Sequence, residues 1–134
     1  MEKTIFEKIA DKEIPSCIIY EDELTIAFLD AFPKTIGHTL VIPKVCYKDI
    51  HEIPLAVLEK VMASVKHVAS MLQSSLNPEG INIIQSNGEA AEQSVFHIHF
   101  HILPRYSSDT FKIWPNETLS VDLSEIQKKI LQLN

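Results

Sequence analysis

Three histidines alternate with apolar residues in the stretch FHIHFHILPR, residues 96–105. On a β-strand, residues two apart lie on the same face, about 6.6 Å from one to the next. His97, His99 and His101 are therefore predicted to form a row of imidazoles on one face. The opposite row, suited to packing beneath a helix, would consist of Ile98, Phe100 and Ile102. A purely structural role for the whole row is disfavoured because burying three imidazoles is costly.

The row of imidazoles is compatible with two kinds of chemistry. Two histidines two residues apart can converge on one zinc ion, which would lower the pKa of a bound water. Carboxylates or thiolates that would complete the zinc shell are not evident nearby in the sequence. Alternatively, one neutral imidazole attacks a phosphorus centre while its neighbours fix its tautomer and stabilise charge. The histidine pattern by itself leaves both hypotheses open.

The loop before the histidines favours the second hypothesis. Nucleophilic attack on phosphorus requires an adjoining site that stabilises an anion. The polar stretch SNGEAAEQS, residues 86–94, directly precedes the row. Its Asn87-Gly88 and Gln93-Ser94 pairs can offer side-chain donors and backbone N–H groups to a phosphate.

The rest of the chain predicts the elements that would position this row. Apolar spacing of three and four residues predicts helices over 4–11, 55–73 and 122–133. Runs of β-branched and aromatic residues predict strands over 17–22, 24–30, 39–43, 81–85 and 95–103, the last closed by Pro104. The inward-facing residues of the long helix are predicted to be Leu58, Val61, Met62, Val65, Ala69 and Leu72, and those of the final helix Leu123, Ile126, Ile130 and Leu131. Short connections between strands favour an α+β fold on a mostly antiparallel sheet.

Several separated blocks resemble one known family. The stretch NGEAAEQSVFHIHFHILPR is similar to the signature of the histidine triad (HIT) family, His-x-His-x-His followed by two apolar residues. The stretches IFEKIADKEIPSCIIYEDE, AFLDAFPKTIGHTLVIPK and INIIQSNG also resemble the family, in the same order. The resemblance covers about residues 4 to 106. The short chain and the GHTLVIPK block place it nearest the Hint-like bacterial branch.

The resemblance implies a fold and an activity. The fold would be a HIT-like α+β domain: a five-stranded antiparallel sheet with one long and one short helix, here with a C-terminal helix added. The protein would be a homodimer that binds purine nucleotides and cleaves at the α-phosphate, acting on nucleoside phosphoramidates or related conjugates as a hydrolase or nucleotidyl transferase. The alternatives within the resemblance are a dinucleoside polyphosphate hydrolase and a nucleotide-binding protein with vestigial activity.

The resemblance also implies roles for individual residues. His99 would be the nucleophile and form a nucleotidyl-histidine intermediate, His97 would hold its tautomer or orientation, and His101 would help bind phosphate. His38, in GHTLVIPK, would lie against the triad and support it. The remaining site residues would contact the substrate: Ser94 and Gln93 the α-phosphate or leaving group, Asp30 the ribose hydroxyls, and Asn87 the pocket wall. No cofactor would be required.

The chain departs from its relatives at two places. Many bacterial relatives begin CIFCKI and carry a histidine after VIPK, which together form part of a structural zinc site. Here Thr4 and Glu7 replace the two cysteines and Cys46 replaces that histidine, so no structural zinc is predicted. In the phosphate loop Glu92 stands where relatives have glycine, and Ser86 where they have a larger amide. Both changes are expected to affect substrate affinity.

Composition narrows the class of protein. A chain of 134 residues is expected to be a single domain, residues 1–134, with a motif-bearing core over 4–106 and a tail over 107–134. The net charge of −6 argues against binding to nucleic acid or to an anionic membrane. No apolar run approaches the length that a membrane-spanning helix needs. The charged N-terminal stretch does not resemble a signal peptide. Cys17 and Cys46 form no metal or redox motif. We therefore expect a cytoplasmic protein with reduced thiols, and His51 and His67 on its surface.

Overall fold

A five-stranded antiparallel sheet is the central layer of the structure, a computed structural model that describes residues 2–133. Its strands are β1 (Ile18–Glu21), β2 (Thr25–Leu29), β3 (Thr39–Pro43), β4 (Gly80–Gln85) and β5 (Phe100–Arg105), in the spatial order β1-β2-β3-β5-β4. Every neighbouring pair is antiparallel. The predicted α+β class with a five-stranded sheet is confirmed. Met1 and Asn134, which the predicted domain includes, lie outside the described residues.

Three α-helices accompany the sheet, at the three places that apolar periodicity predicts. They are α1 (Ile5–Ala10), α2 (Leu55–Leu76) and α3 (Leu123–Gln132), and a short 3-10 helix spans Glu89–Ala91. Helix α1 begins with a capping box, in which the Thr4 side chain accepts from the Glu7 N–H and the Glu7 side chain accepts from the Thr4 N–H. Helix α2 ends at Asn77, whose left-handed backbone stops the helical hydrogen bonding. None of the helices in residues 2–133 combines the length and apolarity needed to cross a bilayer.

Helix α2 covers one face of the sheet. The core beneath it includes Val61, Val65, Val68, Leu72, Ile98, Phe100 and Ile102. The prediction that the apolar residues between the histidines pack under the long helix is therefore confirmed. The predicted stripe was wrong at Met62, which is 41% exposed. Ser64 is buried instead, because its hydroxyl is hydrogen-bonded to Thr25 at 2.7 Å and donates to Asp22.

The other face of the sheet carries a smaller apolar cluster partly covered by α1. Its buried members are Phe6, Ile9, Ile26, Phe28, Leu40 and Ile42. Phe6 packs edge-on against Phe28, with ring centroids 5.6 Å apart, which fixes α1 to strand β2. Phe6 also contacts the rings of His97 and His99, so α1 lies beside the histidines.

The predicted strand over 95–103 begins later and ends later than its alternating pattern suggests. Strand β5 starts at Phe100, which pairs with Val41 of β3, so His97 and His99 precede the ladder. The neighbouring Pro43 has no N–H to donate, and its carbonyl accepts from the His97 ring instead. Pro104 does not close the strand, because it lies beyond the pairing with β3 and pairs only with Ile81 of β4.

The predicted inward face of the final helix was also wrong. Helix α3 forms with an Asp122 N-cap, but it contains no buried residue within this chain. Leu123 is 76% exposed and Leu131 is 63% exposed, and Ile126 and Ile130 are exposed as well. Amphipathic periodicity predicts a helix with one apolar face, yet it does not specify what that face contacts.

Candidate active site

A cavity with a volume of about 920 Å³ lies on the face covered by α1. Its wall is formed by α1, the segment joining β2 to β3, the loop before the histidines, and the start of β5. The predicted site residues among its lining are His38, His99, His101, Asp30 and Ser94. The structure therefore brings five of the eight predicted residues to one cavity.

His97 lies behind the cavity wall and is fully buried. Its Nε2 is 2.7 Å from the Pro43 carbonyl oxygen, which can only accept, so Nε2 carries the proton. Its Nδ1 is 3.1 Å from the Thr4 hydroxyl, which can donate to it. Burial lowers the pKa of His97, with the neighbouring His99 acting in the same direction. His97 is thus a neutral ring with both nitrogens occupied by the protein.

His99 is held in the opposite tautomer. Its Nδ1 is 2.9 Å from the His97 carbonyl oxygen, so Nδ1 carries the proton and Nε2 keeps its lone pair. Within residues 2–133, Nε2 has no hydrogen-bond partner. Burial lowers the pKa of His99, and Phe6 packs edge-on against the ring at 4.9 Å between centroids. The result is a neutral, oriented imidazole with a bare nitrogen in the cavity wall.

His38 and His101 form a hydrogen-bonded pair next to His99. The backbone N–H of Lys34 donates to His38 Nδ1 at 3.1 Å, so His38 carries its proton on Nε2. His38 Nε2 is 2.9 Å from His101 Nδ1 and donates to it, which leaves the proton of His101 on Nε2. Burial, followed by the neighbouring His99 and His38, lowers the pKa of His101 to about 4. His101 is therefore a neutral N–H donor beside the bare nitrogen of His99.

Asp30 adds a negative charge to this pair. One carboxylate oxygen lies 3.5 Å from His38 Nε2, and the other accepts the backbone N–H of Phe32 at 2.8 Å. The carboxylate opposes the effect of burial, which lowers the pKa of His38. Asp30 also lines the cavity, so its predicted contact with ribose hydroxyls is open to it and stays a prediction.

Two of the residues predicted to contact substrate have partners within the protein. The Gln93 amide is buried, donates to the Lys48 carbonyl at 2.7 Å and to the Val95 carbonyl at 3.1 Å, and accepts from the Gly88 N–H at 2.8 Å. The Asn87 amide oxygen accepts the Ile50 N–H at 2.8 Å. Neither is among the residues that line the cavity. Their amides shape the loop, and direct contact with substrate stays a prediction.

Three other loop residues do line the cavity, namely Ser86, Glu92 and Ser94. Ser94 is exposed and lines the same cavity as His99 and His101. Glu92 has a left-handed backbone with φ 68°, a conformation that favours glycine. A glutamate here therefore has a conformational cost, and its carboxylate would also repel a phosphate bound in the cavity.

The groups of potential metal ligands near the histidines do not match a structural zinc site with four protein ligands. Glu7, Cys46 and His97 have ligand atoms within 4.8 Å of one another, but a structural zinc site normally has four ligands. Here Thr4 occupies His97 Nδ1, and burial, with Glu7 and Glu52, raises the pKa of the Cys46 thiol. The second such group is Asp30, His38 and His101. Among the described residues, His99 belongs to neither group.

Sequence reasoning treated Thr4 only as a replaced zinc ligand. The structure makes it the N-cap of α1 and the partner of His97. The Thr-x-x-Glu spacing just before an apolar run could have predicted the capping box. Nothing in the sequence indicates the contact with His97, which lies 93 residues away along the chain.

A family model described as the HIT domain matches residues 11–108. The chain belongs to the HIT family. The HIT protein is 44% identical over 126 residues to an uncharacterized HIT-like protein of Methanocaldococcus jannaschii, covering 94% of this chain and 97% of that one. It is 34% identical over 130 residues to a Saccharomyces cerevisiae protein named adenosine 5′-monophosphoramidase, covering 95% of this chain and 80% of the yeast protein. A crystal structure of a Bacillus subtilis HIT-family protein superposes with a TM-score of 0.87 at 38% identity, covering 98% of this chain and 96% of that chain.

Proposed function

We propose that this HIT protein is a hydrolase that cleaves purine nucleoside phosphoramidates, or related nucleotide conjugates, at the α-phosphate. The observation that carries the proposal is the tautomer of His99: Nδ1 is committed to the His97 carbonyl, and Nε2 is bare at a cavity of about 920 Å³. A neutral imidazole needs no base to attack phosphorus. The relative named as a monophosphoramidase supports the choice of a phosphorus–nitrogen bond.

In the first step, His99 Nε2 bonds to the α-phosphorus and the bond to the leaving nitrogen breaks. The leaving amine must gain one proton, and the Ser94 hydroxyl, which lines the same cavity, can pass a solvent proton to it. The charge that develops on the phosphoryl oxygens is met by the His101 Nε2–H, held in place by His38. The product of this step is a nucleotidyl-His99 intermediate.

In the second step, water bonds to phosphorus and the bond to His99 breaks. The proton lost by the water returns to solvent, and His99 regains its bare Nε2. The hydrogen bond from Nδ1 to the His97 carbonyl persists through both steps, so the ring need not reorient between them. The purine nucleotide would lie along the apolar part of the cavity, with its ribose near Asp30.

The same nucleophile could attack a dinucleoside polyphosphate, the alternative substrate class. That leaving group is a polyanion, and Glu92 adds a carboxylate at the cavity edge. Like charges at close range raise the free energy of binding, so the loop favours an uncharged or amine-type leaving group. A protein that binds nucleotide with vestigial activity is the remaining alternative, motivated by Glu92 and Ser86.

The direct test is to incubate the protein with an adenosine phosphoramidate and measure the release of AMP by chromatography. The variant His99→Ala should lose activity by at least three orders of magnitude, as expected for removal of a covalent nucleophile. His51→Asn, at an exposed histidine outside the cavity, is the matched control and should turn over as the wild type does. Acid quenching of the wild-type reaction should trap AMP on the peptide that contains His99. A His99→Ala variant with wild-type turnover would refute the assignment.

We also propose that the protein is a homodimer built from single-domain subunits of residues 1–134. Trp114 is 86% exposed, and Leu123 and Leu131 of α3 are similarly exposed, which is unfavourable for apolar side chains in water. A second copy would cover this tail, residues 107–134. Light scattering coupled to size-exclusion chromatography should give twice the chain mass, and Leu123→Gln with Leu131→Gln should shift the protein toward the monomer.

A cytoplasmic location completes the proposal. Both cysteines are free thiols, which is typical of a reducing compartment. The net charge of −6 makes nucleic acid and anionic membrane poor partners. Cell fractionation of the native host tests the location.

A further inference from the structure

We propose that Thr4 is a positioning residue for His99 and that it acts through His97. The inference rests on the proposed role of His99 as the nucleophile. Thr4 itself does not line the cavity, so it would influence the reaction only through the groups it holds.

The capping box fixes the direction in which the Thr4 hydroxyl donates. Thr4 Oγ1 accepts the Glu7 N–H at 3.1 Å, and the Glu7 carboxylate accepts the Thr4 N–H at 3.0 Å. The hydroxyl proton is then left for the other neighbour of Oγ1, His97 Nδ1, at 3.1 Å. A hydroxyl carries one proton and two lone pairs, so this arrangement satisfies both groups at once.

His97 passes this constraint to His99. With Nδ1 accepting from Thr4 and Nε2 donating to the Pro43 carbonyl at 2.7 Å, the ring is held at both nitrogens. A fixed side chain fixes the backbone that carries it, and the carbonyl of this residue accepts from His99 Nδ1 at 2.9 Å. The orientation of the bare Nε2 therefore depends on a row of three hydrogen bonds that begins at Thr4.

Helix α1 supports the same row by packing. Phe6, two residues after Thr4, contacts the His97 ring at 5.9 Å and the His99 ring at 4.9 Å between centroids, both edge-on. The capping box sets where α1 begins, so it also sets where Phe6 lies. One short helix thus holds the buried histidine by a hydroxyl and both histidines by an aromatic ring.

The same contacts engage two of the side chains that could otherwise act as metal ligands. Glu7 and Cys46 lie close enough to His97 to be candidate ligands, yet Thr4 engages both the Glu7 carboxylate and His97 Nδ1. The Cys46 thiol contacts the Phe96 carbonyl at 3.6 Å. The hydrogen bonds of Thr4 therefore tether His97 to α1.

The decisive variant is Thr4→Val, which keeps the shape of the side chain and removes the hydroxyl. It leaves a buried nitrogen of His97 without a partner, so the ring will rotate or take up a proton, and the His97 carbonyl will move. We expect kcat to fall about tenfold, in line with the loss of one buried hydrogen bond from the organised site. KM should stay within about twofold, because Thr4 makes no contact with the cavity.

Two further variants separate positioning from helix capping. Thr4→Ser keeps the hydroxyl and should restore kcat to within about twofold of the wild type. Glu7→Ala removes the other half of the capping box but leaves the Thr4 hydroxyl in place, so it should lower the thermal midpoint without the tenfold loss in kcat. Nitrogen-15 NMR of the imidazoles should show His99 with its proton on Nδ1 in the wild type and a mixture of tautomers in Thr4→Val.

The NMR measurement needs no substrate, so it distinguishes this inference from the proposed function. Wild-type kcat and an unchanged His99 tautomer in Thr4→Val would overturn the inference. So would an equal loss of kcat in Glu7→Ala and Thr4→Val, which would assign the effect to capping. Stoichiometric zinc in the purified protein, with His97 Nδ1 as a ligand, would overturn it as well. A wild type that turns over no phosphoramidate, yet shows the tautomer shift in Thr4→Val, would refute the proposed function and leave the positioning intact.

Discussion

The free energy of unfolding should fall as the pH is lowered from about 7 to about 4.5, because the folded cavity resists protonation of its imidazoles. Burial lowers the pKa of His38, His97 and His99, and it lowers the pKa of His101 to about 4. Between the folded and unfolded pKa values, the unfolded chain binds more protons than the folded one. Stability is therefore complete above the unfolded pKa of about 6.5 and is lost as the pH falls toward the folded value.

His101 allows a magnitude to be worked out. A pKa of about 4 when folded against 6.5 when unfolded corresponds to about 2 to 3 kcal/mol of destabilisation at about pH 4.5. An ion-paired aspartate adds little in this window. The Arg105 guanidinium, for example, lowers the pKa of Asp109 to about 2, so the stability it contributes is lost only at lower pH.

Urea unfolding followed by circular dichroism at about pH 7 and about pH 4.5 measures the effect. The variant His101→Asn, whose amide oxygen can still accept from His38, should lose roughly 2 kcal/mol less than the wild type over this interval. His51→Asn replaces an exposed histidine and should follow the wild type. An equal pH dependence in His101→Asn and the wild type would show that burial does not hold this ring neutral, and the assigned donor state of His101 would fail with it.

Three further predictions follow from the backbone at two residues and from the groups of potential metal ligands. Gly37→Ala should lower the free energy of unfolding by about 1 to 2 kcal/mol in denaturant titrations, because φ there is 91° and the new Cβ would meet the flexible Leu76 side chain. An unchanged midpoint would contradict this. Glu92→Gly should raise the free energy of unfolding by about 0.5 to 1 kcal/mol, because glycine adopts the left-handed backbone without strain. The same variant should lower the KM for anionic nucleotides, because it removes a negative charge from the cavity edge. A higher KM would show that Glu92 aids binding. Exhaustive chelation should leave turnover unchanged, and activity lost on chelation and restored by zinc would favour the metal-dependent alternative.

The sequence predicts the layers of this fold well because the determining patterns are local. The short apolar runs of β2 and β3, which are buried almost throughout, and the apolar spacing in α2 both depend on residues a few positions apart. The start of β5 is not local information. The alternation in VFHIHFHIL continues to residue 95, but pairing stops where Pro43, on a neighbouring strand, supplies no N–H and gives its carbonyl to His97.

The site is predictable in its residue types and less so in its geometry. Three alternating histidines suggest one row of equivalent rings, yet each has a different environment: His97 is buried behind the wall, His99 has a bare nitrogen, and His101 is paired with His38. Tautomers follow from the partner of each nitrogen, and those partners come from distant segments. The same reason explains Gln93, whose amide is occupied by backbone groups from two segments.

The missing N–H of Pro43 limits how far strand β5 can extend toward its N-terminus. A longer β5 would add ladder hydrogen bonds and stiffen the sheet, but it would also draw the backbone at residues 97–99 into the strand. The His97 carbonyl is available to the His99 imidazole because no strand uses it. Any other residue at position 43 would offer a donor and favour extending the sheet. The proposed reactivity of His99 would therefore depend on an interruption of secondary structure, and we expect a change that extends the sheet at this point to weaken the proposed nucleophile.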